Sequence, residues 1–271
     1  MDYNKIISLV YSAKKIVFSK KLLSSVKDKN PYDFVTAVDT GISDYLKKEL
    51  FILYPTVGFM TEEEDIHNLK SANFILDPID GTTNLIYDYK MSSISLAYAE
   101  DGVVLFGVVF NPFTKEMFFS IKGKGAHLYR TDRGISSLIK IGVENYTKNQ
   151  LFCSKRPLNK SIIEFGASSS RKDIAGETFN RGKRVFEKCL DLRRVCSTAL
   201  SISYIASGRL DGYFEKVIKP WDYAAAILIL DEAGGYSSTW DNTPLPLDKE
   251  GTIICSNKVI HNELLALVVK D

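Results

Sequence analysis

The sequence is poor in the residues that build covalent or soft-metal frameworks. Its four cysteines, Cys153, Cys189, Cys196 and Cys255, are widely spaced and form no C-x-x-C pair, so neither a zinc site nor a disulfide framework is indicated. A reducing cytoplasm is the compartment expected from that usage. No stretch approaches the ~18 apolar residues needed to span a bilayer. The N-terminal residues Ile6, Ile7, Leu9 and Val10 are interrupted by Asp2, Lys5, Lys14 and Lys15, which excludes the apolar core of a signal peptide. Charge of one sign is also lacking: a formal net charge of +2 over 271 residues leaves no broad basic footprint for nucleic acid. No internal repeat and no low-complexity tract occurs, so a solenoid or a disordered tail is set aside.

What is present is apolar residue, 45% of the chain, enough to bury a substantial core in one large or two intimately packed domains. Ile6, Val10, Ala13 and Val17 keep helical spacing, as do Ile42, Leu46, Leu50 and Leu53 up to a stop at Pro55. Pro31 predicts a turn between these helices, and Asp39 stands just before the second periodic run. From Asn73 onward the texture becomes β-type: Phe74 to Leu76, Ser93 to Ala99, Val103 to Phe110 and Glu116 to Ile121, broken by Asp101-Gly102, Asn111-Pro112 and Gly123-Lys124-Gly125. That pattern predicts an antiparallel meander. The polar stretch from Thr131 to Gln150 is the candidate join between two halves, roughly 1–145 (α+β) and 146–271 (α/β), of a single layered domain over 1–271. In the second half Ser197 to Ala206, Gly212 to Val217, Asp222 to Ala233 and Thr252 to Cys255 alternate helix-like and strand-like segments.

The segment Phe74-Ile75-Leu76-Asp77-Pro78-Ile79-Asp80-Gly81-Thr82-Thr83-Asn84 carries the most chemistry. An apolar strand delivers two carboxylates at its end. Pro78 cannot donate a backbone hydrogen bond, so the ladder is expected to end there and the chain to turn directly after Asp77, bringing Asp77 and Asp80 together. Two carboxylates held that close repel unless a hard cation lies between them, and magnesium is the natural one. Gly81-Thr82-Thr83 would expose backbone N–H groups at a helix start, where a phosphate is favoured. The Thr82 hydroxyl could then accept or pass a proton from an attacking water. The plainer reading is an ordinary Asp-Gly-Thr turn.

Two further acidic segments accompany it. Thr61-Glu62-Glu63-Glu64-Asp65 follows a short strand-like run, Thr56 to Met60, and is either a solvated face or a second source of metal ligands. Asp222, in Lys219-Pro220-Trp221-Asp222-Tyr223-Ala224, opens a strongly apolar helix. It is either a capping residue that stabilises by roughly 1 kcal/mol or a third metal carboxylate.

Taken together, Asp77-Pro78-Ile79-Asp80-Gly81-Thr82-Thr83-Asn84 and Trp221-Asp222-Tyr223-Ala224-Ala225-Ala226 resemble the inositol monophosphatase family, in order and separation. The resemblance extends over essentially the whole chain through Asp33-Phe34-Val35-Thr36-Ala37-Val38-Asp39, Glu62-Glu63, Gly123-Lys124-Gly125-Ala126 and Glu232-Ala233-Gly234-Gly235. It implies an αβαβα sandwich of the inositol monophosphatase and fructose-1,6-bisphosphatase type that pairs into a homodimer. It implies two to three Mg2+ ions held by Glu62, Asp77, Asp80, Asp222 and the carbonyl of Ile79. Gly81 and Thr82 are expected to donate N–H groups to phosphate, Asp39 and Thr82 to activate the nucleophilic water, and Glu63 to support a metal-bound water. Glu215 and Ala199 are the expected substrate contacts.

The implied reaction is hydrolysis of a small polyol phosphate, myo-inositol monophosphate first, by direct attack of a metal-activated water, with lithium inhibition. Departures from the family pattern fall at Lys219, where animal members carry His; at Lys27 and Lys29, which compete for one lysine near the third metal; at Ser168 and Ser169, beside an apparent extra residue; and at Ser197, which replaces a glycine.

Alternatives are fructose-1,6-bisphosphate, 3′-phosphoadenosine 5′-phosphate or NADP as substrate, and a binding role in transcription or RNA processing. A haloacid-dehalogenase phosphatase is a further rival, but its two aspartates stand two apart rather than three. A structural calcium site would explain the carboxylates yet needs neither the Gly81 turn nor Thr82.

Overall fold

A computed structural model of the chain describes residues 1–19, 26–30, 33–64 and 69–270. The turn expected at Pro31, and Asp65 of the acidic run, lie outside the described residues. Helix α1 (Tyr3–Val17) buries Ile6, Ile7, Val10, Ala13 and Val17 along one stripe. A hairpin of β1 (Val26–Asn30) and β2 (Asp33–Thr36) follows. Helix α2 (Ala37–Leu53) buries Val38, Ile42, Leu46 and Leu50, as the 3.6-residue period requires. Each such side chain, fully removed from water, stabilises by about 1.5–3 kcal/mol.

The first sheet runs in the order β3 (Gly58–Thr61), β4 (Ala72–Asp80), β5 (Ser93–Glu100), β6 (Val103–Asn111), β7 (Glu116–Ile121) and β8 (Ala126–Arg130), with a short helix α3 (Thr82–Ile86) between β4 and β5. From β4 to β8 the sheet is an antiparallel meander, and β3 joins β4 in parallel. Helix α4 (Ser136–Ile141) then leads to the second sheet. Its order is β10-β9-β11-β13-β12, built from β9 (Ile162–Phe165), β10 (Asp191–Arg193), β11 (Gly212–Ile218), β12 (Tyr236–Ser238) and β13 (Gly251–Ser256). The remaining helices are α5 (Ala175–Phe186), α6 (Thr198–Ala206), α7 (Pro220–Glu232) and α8 (His261–Val269).

These elements stack in five layers. Helices α1 and α2 cover the outer face of the first sheet, α6 and α7 lie between the two sheets, and α5 and α8 cover the second sheet. Each interface has its own buried cluster, centred on Phe74, Phe106 and Phe110 in the first, on Tyr223, Leu230 and Ile202 in the middle, and on Ile163, Phe214 and Leu264 in the last. The chain therefore has the layered αβαβα arrangement. In the middle layer helix and sheet approach closely. A Cβ at Gly107 of β6 would stand 2.4 Å from the Ala225 carbonyl oxygen; only glycine lets the α7 backbone lie directly on the sheet and present its first turn beside the end of β4. No helix among the described residues is long and apolar enough to cross a membrane. The four cysteines are free thiols.

One buried group, packed between α8 and the second sheet, sets a pH limit. His261, at the start of α8, is 3% exposed and its ring nitrogens face the Ser238 and Ser256 hydroxyls at 3.1 and 3.0 Å. Burial pushes the imidazole down to about 4 from an ordinary 6.5. Between those values the unfolded chain binds the extra proton, so stability is complete above about pH 6.5 and declines as pH falls towards 4, by up to about 3 kcal/mol. Urea melts between pH 7 and 4.5 are expected to show this slope in the natural chain and a shallower one in His261→Gln. Parallel slopes in the two proteins would remove His261 as the cause.

Candidate active site

The site begins with the end of β4. Pro78 does not end the ladder, as the sequence suggests; the strand continues to Asp80 through an irregularity in which Asp77 faces Ser95 of β5 and Asp80 faces Ser93. Three residues on β4 therefore oppose two on β5. In a regular strand, residues three apart point to opposite faces, and the bulge's extra residue returns Asp80 to the side of Asp77. Pro78 fits there because the bulged position leaves its missing N–H unused.

Gly81 follows with φ +89°, and a Cβ on it would meet the carbonyl oxygens of Cys196 and Met91 at 3.0 Å. Glycine is thus required both by backbone conformation and by space. Asn84 fixes the far side of the turn through its Nδ2, which donates to the Met91 and Val195 carbonyls at 2.8 Å each.

The carboxylates have different surroundings. Asp77 is 3% exposed and its Oδ1 is buried without a hydrogen-bond partner. Burial, then the charges of Glu62, Asp80, Asp222 and Asp39, push its carboxyl well above the usual range. Asp80 is instead saturated with donors: Thr198 N to Oδ1 at 2.9 Å, and Ala199 N at 2.9 Å, Ser197 Oγ at 2.5 Å and Ser93 Oγ at 3.2 Å to Oδ2. Burial raises its carboxyl to about 6 against the pull of these bonds. Asp80 thereby caps helix α6 and ties it to the end of β4.

Asp222 is the third residue of α7 and accepts the Lys219 N–H at 2.8 Å through Oδ2, with Pro220 leading the helix. The capping role read from sequence is present. Its carboxyl is nevertheless raised well above the usual range, by burial and then by Glu62, so it also belongs to the acidic group.

Asp39 lies inside the first turn of α2 rather than before it. Thr36 is the cap, and Asp39 Oδ2 returns to the Thr36 N–H at 2.9 Å in a reciprocal box. Its other oxygen, Oδ1, is 3.0 Å from Thr82 Oγ1, which also reaches the Ile79 carbonyl at 3.2 Å. Burial raises the Asp39 carboxyl.

One cleft of about 550 Å³ is lined by Glu62, Asp77, Ile79, Asp80, Gly81, Thr82, Thr198, Tyr213, Glu215, Lys219 and Asp222. The segment from Gly166 to Arg171, with Ser168 and Ser169, and Arg194 line it as well. Asp39 stands behind this surface and reaches it through Thr82. Glu63 is not among the described residues that line it, and Glu64 is committed to Lys47.

Ala199 is fully buried in the middle cluster, and the N-terminal turn of α6 shows Thr198 to the cleft instead. Cys196, before that turn, holds φ +62° in a position that suits glycine. Glu164 of β9 also lines the cleft, accepting the Ser201 hydroxyl; its place in an apolar run hid it in the sequence.

Hard oxygen donors, a buried oxygen with no partner and mutual repulsion among Glu62, Asp77, Asp80 and Asp222 are what a small divalent cation relieves. The donor set therefore fits magnesium in chemistry and charge. As the side chains lie, no three His, Cys, Asp or Glu among the described residues converge closely enough to enclose a metal ion.

Comparison with known proteins gives the same direction. The family model described as "Inositol monophosphatase family" matches residues 4–271. The chain is 30% identical over 270 residues to the inositol-1-monophosphatase of Rhizobium meliloti, covering 98% of this chain and 95% of that protein. It is 31% identical to the Nus factor SuhB of Salmonella typhimurium, over 88% of this chain and 83% of the relative. Among solved structures, the IMPase of Thermotoga maritima superposes with a TM-score of 0.83 at 27% identity, covering 99% and 97% of the two chains. The extragenic suppressor protein suhB of Bartonella henselae superposes with a TM-score of 0.85 at 26% identity, covering 99% and 98%.

Proposed function

Because the chain belongs to the inositol monophosphatase family and is on that ground a phosphoric monoester hydrolase, we propose that it hydrolyses the phosphate monoester of a small polyol, first a myo-inositol monophosphate, with magnesium and by direct attack of water. The observation that carries this reading is the buried, partnerless Oδ1 of Asp77 in a cleft it shares with Glu62, Asp80 and Asp222. Glu62, Asp77, Asp80, Asp222 and the Ile79 carbonyl would hold the ions, two to three in number. Bound there, magnesium supplies Lewis-acid polarisation of the phosphoryl group and offsets charge on the departing alkoxide.

The chain's own residues do the rest. Gly81 and Thr82 offer N–H groups to the phosphate oxygens. Thr82 Oγ1, with its proton directed at Asp39 Oδ1, turns lone pairs to the cleft and can take a proton from water while passing its own to Asp39. Burial makes Asp39 a stronger base than a surface carboxylate, and the Thr36 bonds hold it in place. Water oxygen bonds to phosphorus, the ester P–O bond breaks, and the alkoxide leaves as an alcohol after taking up a proton. Glu63 supports a water at the edge of the site, and Glu215 binds the hydroxyls of the leaving group, with Thr198 in the place first expected of Ala199. A homodimer in a reducing cytoplasm completes the reading.

A phosphate-release panel over inositol phosphates, fructose-1,6-bisphosphate, 3′-phosphoadenosine 5′-phosphate and NADP tests it. Release is expected only with magnesium, fastest from an inositol monophosphate, inhibited by lithium, and with no phosphate retained on acid-quenched protein. Release in a chelator, or a trapped phosphoprotein, would contradict it.

The likeness to relatives named Nus factor SuhB favours a second reading, in which the fold also binds transcription or RNA-processing machinery. Binding of that kind retained by a catalytically dead Asp77→Asn protein would separate the two roles.

A further inference from the structure

We propose that Tyr213 is a positioning residue that fixes the leaving-group side of the cleft as a pair of hydrogen-bond acceptors, and so selects a phosphate ester whose alcohol carries further hydroxyls. This rests on the phosphatase reading of the cleft. Tyr213 lies on β11, 3% exposed, with its ring in the core between the sheets and its hydroxyl at the cleft. A phenol has one proton to give. Here Oη donates it to Glu215 Oε2 at 2.6 Å.

Oη can then act only as an acceptor towards Thr198 Oγ1, 2.9 Å away, so the Thr198 proton points at Tyr213. Both Thr198 and Glu215 line the cleft, and both meet a ligand there with lone pairs. Hydroxyl donors are matched, whereas a second phosphate or a carboxylate would bring further acceptors against acceptors.

Two observations show that this direction is built in. A Cβ on Gly166 would lie 2.1 Å from Glu215 Cδ and 2.5 Å from Tyr213 Oη, so both groups rest against bare backbone and are held on that side. Thr198 also donates its N–H to Asp80 Oδ1 at 2.9 Å. The chain Glu215, Tyr213, Thr198, Asp80 thus fixes the alcohol end of the cleft relative to the phosphate end. Sequence reading passes over Tyr213 because an aromatic in a strand is core until its hydroxyl is located.

The test compares kcat/KM for myo-inositol monophosphate and for 4-nitrophenyl phosphate, whose leaving group bears no further hydroxyl, in magnesium buffer. In Tyr213→Phe the ratio of the two is expected to fall about tenfold, chiefly through a higher KM for the inositol ester. General damage would lower both values and leave the ratio alone. Adding Tyr213→Phe to Glu215→Gln is expected to lower the ratio no further than Glu215→Gln does by itself, because the two act as a unit.

A ratio within twofold of the natural protein, or an additive double variant, overturns the proposal. Should a thermal melt show Tyr213→Phe unfolded, Thr198→Val removes the hydroxyl at the other end of the relay. The ratio is then expected to fall about threefold, and an unchanged ratio again overturns the proposal. If the natural chain releases phosphate from neither ester, the reading of its substrate as an inositol monophosphate fails and takes this proposal with it.

Discussion

Replacing Asp77 by asparagine is expected to reduce turnover by about a thousandfold while raising the melting temperature of the chelator-treated protein. The two effects share one cause. Asp77 is buried with a partnerless Oδ1, and the charges of Glu62, Asp80, Asp222 and Asp39 oppose its ionisation. That arrangement is costly to the fold, and a bound cation would relieve it. Asparagine keeps the shape, removes one charge from the group and supplies an N–H2 that can donate to neighbouring carboxylates. Relief of about 1–3 kcal/mol corresponds to roughly 2–4 °C per kcal/mol in a chain of this size. Losing a ligand removes several kcal/mol of transition-state stabilisation. Paired melts with chelator and with magnesium check both halves: the natural protein should be raised by the ion, and the variant should start higher and respond less. A lower melting temperature in chelator would mean that Asp77 is a structural partner.

The same substitution three residues later is expected to act on stability with the opposite sign. Asp80 accepts from Ser93, Ser197, Thr198 and Ala199 and closes the N-terminus of α6. An asparagine side chain has one carbonyl oxygen, so its amide group would face at least one of these donors. Leaving such donors unpaired in the interior costs about 2–4 kcal/mol in all. Asp80→Asn should therefore lower the melting temperature with or without magnesium, and abolish turnover as well. An Asp80→Asn protein that melts like the natural chain would show that these hydrogen bonds contribute little and that the residue serves the metal alone. The contrast between the two variants is the sharper measurement, since both remove one negative charge from the same cleft.

Much of the layout was legible in the letters because it depends on local rules. The periods of Ile6 to Val17 and Ile42 to Leu50 mark two helices whichever partner they meet. The β-type runs separated by Asp101-Gly102 and Asn111-Pro112 mark the meander, which the β4–β7 pairing bears out. Asp77, Asp80 and Asp222 stood out because carboxylates are rare beside apolar runs. Less legible were features that depend on phase. Whether Thr198 or Ala199 faces the cleft is decided by where α6 begins its first turn, and that is set by Asp80 at the distant end of β4. Pro78 read as a strand end because a proline cannot join a ladder, yet a bulge gives it a place inside one. Tyr213 and Glu164 were hidden in apolar strands, where composition tells nothing about a hydroxyl or carboxylate turned towards a cleft.

The sequence by itself marked the helices and the meander through apolar period and turn residues, and the family through the order of its short motifs, from which the layered fold and the acidic residues followed by resemblance, because all of these are properties of a one-dimensional string. Only the tertiary structure decided that Asp77 keeps a buried oxygen without a hydrogen-bond partner while Asp80 is saturated, and that Glu215 is linked through Tyr213 to Thr198. Those distinctions arise where α6, α7 and β11 are packed against the end of β4. Hydrogen-bond partners more than a hundred residues away leave no periodic trace along the chain.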